Sequence, residues 1–140
     1  MNTRKTPLNL MGGPWKEYGE KIKKIVIKEG VTSVTRWAFE DCMNAEEVII
    51  ADNVFAGTGA FNYLRNLEKV TLGKNCYINK DAFRGCTAIM EISIPEGATV
   101  CENAFFSCTA LSTVNLNGEN ITMESTAFSN TPYETEKDNN

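Results

Sequence analysis

The sequence contains no histidine. That absence removes the commonest general base and, with it, every Ser-His or Cys-His nucleophile arrangement. Any metal centre would have to be built from cysteine and carboxylate, and there is no C-x-x-C pair to start one. No apolar run approaches the roughly 20 residues that span a bilayer, so no membrane insertion is expected. The opening "MNTRKTPLNLMGGPW" also lacks the apolar stretch, about 7 to 15 residues long, of a secretory leader, and no export address is legible there. Phosphate-binding, dinucleotide-binding and calcium-binding loop motifs are missing as well. An enzyme is hard to build from this inventory, and neither catalytic residues nor a cofactor are expected.

Positive charge is scarce after the first quarter of the chain. The net charge is -4 over 140 residues, which argues against a nucleic-acid partner. Residues 1–36 hold eight Lys or Arg against three Glu, and the remainder holds six against fifteen acidic residues, giving +5 and -9. A dipole of that kind steers charged partners and favours head-to-tail contact.

What the sequence does have is a repeat. Ala-Phe occurs at 38, 60, 82, 104 and 127, in steps of 22, 22, 22 and 23. Twelve residues after the first four alanines stand Ile50, Leu72, Ile94 and Leu116. Two before those come Val48, Val70, Ile92 and Val114, and three earlier still Ala45, Leu67, Ile89 and Leu111. Ile22, Ile25 and Ile27 open the series. The I-x-I part has the period of two of a strand, whereas A-F-x-x-C has the three-to-four spacing of one short helical turn. Each coil therefore reads as a strand, a corner and a tight turn. A single coil buries too little to offset the entropy of ordering itself, so the coils must stack, five of them making a slab roughly 24 Å long.

With its 22 to 23 residue unit and "AFxxC", the chain resembles the BspA-like leucine-rich repeats. The resemblance covers about residues 15–133 and implies an α/β solenoid. It would be a right-handed arc with a parallel sheet on the concave face and short turns or irregular β segments behind. Strands are expected near 22–27, 45–50, 67–72, 89–94 and 111–116, with a mobile leader over 1–14 and a mobile tail over 134–140. Trp15 and Tyr18 suit a lid over the first coil. The terminal "AFSNTPYE", with Thr131, Pro132 and Tyr133, resembles the way the family ends an array. The resemblance also implies a cell-surface or secreted, adhesin-like recognition role in bacteria.

Five cysteines raise the question of disulfides, metal or a nucleophile. Cys42, Cys86 and Cys108 share a column with Leu64 and Thr131, and a site that accepts leucine is an apolar packing slot. No pairing scheme uses five cysteines completely. Cys76 and Cys101 fall at corners. Phe39, Phe61, Phe83, Phe105 and Phe128 read with Cys42, Cys86 and Cys108 as structural residues.

Binding is left to the outward strand positions. One column runs Val26, Ile49, Thr71, Ser93 and Asn115. The column before it runs Lys24, Glu47, Lys69, Glu91 and Thr113, with charge alternating as in a cross-strand ladder. A third column, Lys28, Ala51, Gly73, Pro95 and Asn117, borders the first two as a shallow shelf. Trp37, Tyr63, Tyr77 and Phe106 lie outside the inward columns and would form a second patch or pack between coils. The expected partner is a protein or glycan of unstated identity, and a monomer is favoured. The alternative is self-assembly through coil ends and polarised charge.

Overall fold

Every coil carries two runs of alternating apolar residues, one longer than the other, and each run becomes a strand. In the computed structural model, which describes residues 15–138, the longer runs are β1 (Lys24–Ile27), β3 (Glu47–Ile50), β5 (Lys69–Leu72), β7 (Glu91–Pro95) and β9 (Thr113–Asn117). Two-residue strands alternate with them: β2 (Ser33–Val34), β4 (Phe55–Ala56), β6 (Tyr77–Ile78), β8 (Thr99–Val100) and β10 (Thr122–Met123). All pairing is parallel and joins equivalent strands of successive coils, which makes the chain a parallel β-solenoid of about five turns. The proposed leader, residues 1–14, lies outside the described residues.

The long strands start two residues later than their apolar spacing implies. Ala45, Leu67 and Leu111 donate their N–H groups to the carbonyls of Cys42, Leu64 and Cys108, three residues back, at 3.0, 3.1 and 3.0 Å. Those first inward residues therefore belong to the turn. The short β segments expected at the back form a continuous five-stranded sheet, in the order β10-β8-β6-β4-β2. The front sheet is the discontinuous one. It consists of β1-β3-β5 and, separately, β7-β9.

Corners follow a backbone rule that the apolar pattern does not express. Gly30, Asn53, Asn75, Gly97 and Asn120 all have positive φ, between 58° and 95°, in the left-handed region that glycine and asparagine enter most readily. Each coil thus turns from its long strand to its short one on a residue suited to the conformation.

Inside, the Ala-Phe turns stack. The N–H groups of Phe39, Phe61, Phe83 and Phe105 donate to the carbonyls of Ala60, Ala82, Ala104 and Ala127 in the following coil, at 2.8–2.9 Å. Alanine, buried at each position, permits that approach. The rings form one column with centroid spacings of 5.0–5.2 Å and nearly parallel planes. Trp15 closes the column by stacking on Phe39 at 5.4 Å, and Tyr133 closes the other end edge-on against Phe128 at 5.4 Å.

The last turn shows why threonine replaces cysteine. Residues 134 onward read as tail, yet Pro132–Asp138 form the helix α1, and Thr131 caps it. Its hydroxyl donates to the Phe128 carbonyl at 2.6 Å and accepts from the Glu134 N–H at 3.2 Å. Thr-Pro-Tyr-Glu has the spacing of a capping box, of which the threonine half forms, with proline at the first helical position. Thr131→Ala is expected to cost about 1 kcal/mol of stability, as loss of such caps does. A matching fall in the urea midpoint, with reduced helical signal, is the check.

Candidate binding face on the front sheet

Alternation along the front strands sends one set of side chains inward and the other to solvent. Val26 is 46% exposed, Thr71 and Ser93 are exposed, and Ile49 and Asn115 are half-buried. Register places Val26 beside Ile49 and Ile49 beside Thr71, and Ser93 beside Asn115. Val26 and Ile49 therefore give this face an aliphatic end, and Ser93 with Asn115 a polar one.

The charged column forms in part. Lys24 Nζ lies 3.6 Å from Glu47 Oε1, and Lys69 Nζ lies 3.8 Å from Glu47 Oε2. Exposed pairs of this kind contribute less than about 1 kcal/mol each, so they set register more than stability. The alternation stops at the next step. No ion pair joins Lys69 to Glu91 among the described residues; Glu91 Oε2 accepts instead from Asn115 Nδ2 at 2.8 Å. Thr113 pairs in register with Glu91.

That interruption coincides with the break in the sheet. Glu46 and Glu47 donate to the Lys23 carbonyl, Glu68 and Lys69 to that of Glu46, and Ser112 and Thr113 to that of Met90. The matching pair of bonds, from Met90 and Glu91 to Glu68, does not form among the described residues. Pro95 removes a further donor. In the second coil the Ala51 N–H reaches the Ile27 carbonyl at 3.0 Å; register equates Ile27 with Ile50 and Leu72, so the counterpart at 95 would serve Leu72, but proline has no N–H. The shelf residue Pro95, which reads as lying just past a strand, is the last residue of β7.

A cavity of about 570 Å³ opens along this break. Its floor includes Val70 and Leu72, 9% and 8% exposed, where Val48, Ile50, Ile92 and Ile94 in the flanking strands are at 0–1%. The sequence columns predict equal burial for all six. The one local signal was the proline.

The aromatics outside the core do not form one patch. Tyr77 stacks on Phe55 at 4.8 Å on the back sheet. Trp37 and Tyr63 project from the turns, where they hold left-handed backbone at φ 53° and 58°. Each lies over a glycine of the next coil: a Cβ on Gly59 would meet the Trp37 ring, and one on Gly85 the Tyr63 ring. Arg36, Arg65 and Arg84 sit over Trp37, Tyr63 and Phe106 at 4.7–5.7 Å. These side chains pack between coils along the rim.

All five cysteines are free and buried. Cys42, Cys86 and Cys108 occupy the expected packing column, each 0% exposed. Two also bond between coils, which the column of residue types does not reveal: Cys86 Sγ donates to the Phe61 carbonyl and Cys108 Sγ to that of Phe83, both at 3.2 Å. Burial pushes the thiols up, Cys42 to about 11 with Asp41 adding to the shift, and Cys76 and Cys108 to about 12. Cys86 is driven well above the usual range by burial and then by Cys108. Thiolate nucleophiles need the opposite shift.

The sign of the resulting pH dependence follows from linkage. Below the ordinary thiol value of 9.0, folded and unfolded chains both hold these protons and the contribution is fully present. Between 9 and about 12 the unfolded chain releases protons that the folded one keeps, and stability falls. Urea midpoints should decline over that window, and less steeply in Cys76→Val, which adopts the residue of the equivalent Val54.

Among the described residues no helix is long and apolar enough to cross a membrane. Comparison with known proteins agrees with this architecture. A leucine-rich cell surface protein from Faecalibacterium prausnitzii A2-165 has a similar solved structure, with a TM-score of 0.69 and 28% identity. The match covers 79% of this chain and 30% of that one, so the chain spans less than a third of its neighbour. A T. pallidum leucine-rich repeat protein is 15% identical with a TM-score of 0.41, over 74% of this chain and 73% of the other. None of the curated proteins matches. The model of the BspA type leucine rich repeat region matches six copies across residues 17–134, nearly all of the solenoid. With that match over its stacked Ala-Phe turns, the chain belongs to the BspA-type leucine-rich repeat family.

Proposed function

We propose that this chain is a non-enzymatic recognition module that binds a protein or glycan through the outward face of the front sheet. The observation that carries the reading is the pair of outward columns, Lys24 to Thr113 and Val26 to Asn115. They present aliphatic, hydroxyl, amide and charged groups on strands held rigid from behind by a continuous sheet. Repeat proteins of this build use such extended surfaces for contact. The similar protein from Faecalibacterium prausnitzii is described as a cell surface protein, which supports a surface or secreted, adhesin-like setting.

Screening host-matrix, glycan and bacterial-surface fractions supplies the partner. Alanine at Ile49, Thr71 and Ser93 should then weaken binding while the melting temperature changes little. Unchanged binding by the triple variant would refute the face.

A second reading, self-assembly, has its own observation. Leu116, on the final front strand, is 51% exposed, and the chain is polarised at +5 and -9. Charge-driven association predicts a larger species by gel filtration at low salt that dissociates at high salt. A monomer at both would dismiss it.

A further inference from the structure

We propose that the break between β5 and β7 is a docking slot for an extended polypeptide segment that carries one apolar side chain flanked by basic residues. The inference rests on the front-face reading and narrows it to one place and one class of ligand.

Three independent observations meet there. First, the two banks of the slot are strand edges that do not complete a ladder. Among the described residues the Met90 and Glu91 N–H groups have no bond to Glu68, and the Leu72 carbonyl, equivalent to that of Ile27, loses its donor because Pro95 has no N–H to give. The N–H and carbonyl groups left over on these edges can bond the backbone of an extended segment laid over the break. Second, the floor is apolar and open. Val70 and Leu72 are more exposed than their counterparts in the neighbouring strands, and Met90 is 67% exposed. An aliphatic side chain seated there removes apolar surface from water on both sides of the contact.

Third, charge selects the flanks. Glu68 and Glu91 line the slot, while the lysine between them in the fold, Lys69, is engaged by Glu47 at 3.8 Å. The surrounding chain after residue 36 is itself strongly acidic, at -9. Lys or Arg beside the anchor complements this bank. A glycan is the less suited occupant, because no aromatic ring lines the slot to stack on a sugar face.

The test uses the full chain and three probes: a synthetic peptide with a central Leu flanked by Lys, its Glu-flanked analogue, and a neutral oligosaccharide. Amide shifts are followed by NMR. The Lys peptide should move the signals of 69–72 and 91–94 and bind about tenfold or more tightly than the Glu peptide. Two variants should weaken it by about tenfold while remaining folded: Met90→Ser, which strips the floor, and Pro95→Ala, which restores the donor to Leu72 and closes the slot. Shifts confined to Val26 and Ile49, with Pro95→Ala binding unchanged, would overturn the slot and leave the front-face reading intact. Slot signals that move with the oligosaccharide alone would overturn the peptide assignment. Silence of the whole face toward all three probes at millimolar concentration would overturn both.

Discussion

Phe83→Ala is expected to lower stability by about 3–5 kcal/mol, a large fraction of what a domain of this size possesses. Phe83 is 0% exposed and lies midway along the ring column, 5.0 Å from Phe61 and 5.2 Å from Phe105. Truncation loses the transfer free energy of the ring and leaves a void that cannot collapse. Hydrogen bonds from Phe61 N–H to the Ala82 carbonyl and from Phe83 N–H to that of Ala104, each 2.8 Å, fix the spacing of the coils. Because each coil contacts only its neighbours, a defect in the middle also weakens coupling between the two halves. Urea unfolding should show a lower midpoint and a broadened transition. Phe55→Ala, which removes a ring that is 40% exposed on the back sheet, should cost far less. Equal losses from the two substitutions would mean that the ring column is not the mechanical centre of the fold.

Gly73→Ala is expected to be nearly as damaging, through overpacking. A Cβ there would stand 2.3 Å from the Ala51 carbonyl carbon and 2.4 Å from both the Ala51 oxygen and the Asp52 nitrogen. All three atoms are backbone, so no side-chain rotation relieves the contact, and the cost should reach or exceed the upper end of the roughly 1–3 kcal/mol range. The second and third coils would have to separate, straining the bond from Lys74 N–H to Asp52 Oδ1, now 2.8 Å. Gly30→Ala is the matched control. Its Cβ meets nothing within 4 Å, so only the left-handed backbone, φ 95°, penalises it, by about 1 kcal/mol. Thermal melts of the two variants should differ clearly, with Gly73→Ala the lower.

The inward columns were legible because burial imposes a period. Ala38, Phe39, Cys42, Val48 and Ile50 recur in kind at steps of 22 or 23, and all are buried except on the last front strand, where Val114 is half-buried and Leu116 exposed. Outward positions could be enumerated for the same reason, but their partners could not. Lys24, Glu47 and Lys69 alternate in sign and do meet, whereas Lys69 and Glu91 alternate as well and do not. A periodic reading treats all junctions as equal, and the front sheet breaks at one of them. Pro95 was visible as a missing donor, yet its consequence depends on which carbonyl it fails to reach. The helix α1 was also readable, since Thr131 and Glu134 have capping-box spacing around Pro132. The resemblance of the same residues to the end of an array carries no helix signal of its own. The corner column of Gly30, Asn53, Asn75, Gly97 and Asn120 has no hydropathy signature because it reflects φ preference.

The recurring A-F-x-x-C turn builds a buried column, so its thiols take no part in the proposed recognition. Thiol labelling of the native protein with an aromatic disulfide reagent, before and after denaturation, tests this most directly. Cys42, Cys86 and Cys108 should stay unmodified until the chain unfolds and then react together. Rapid modification of these cysteines in the native state would contradict the account.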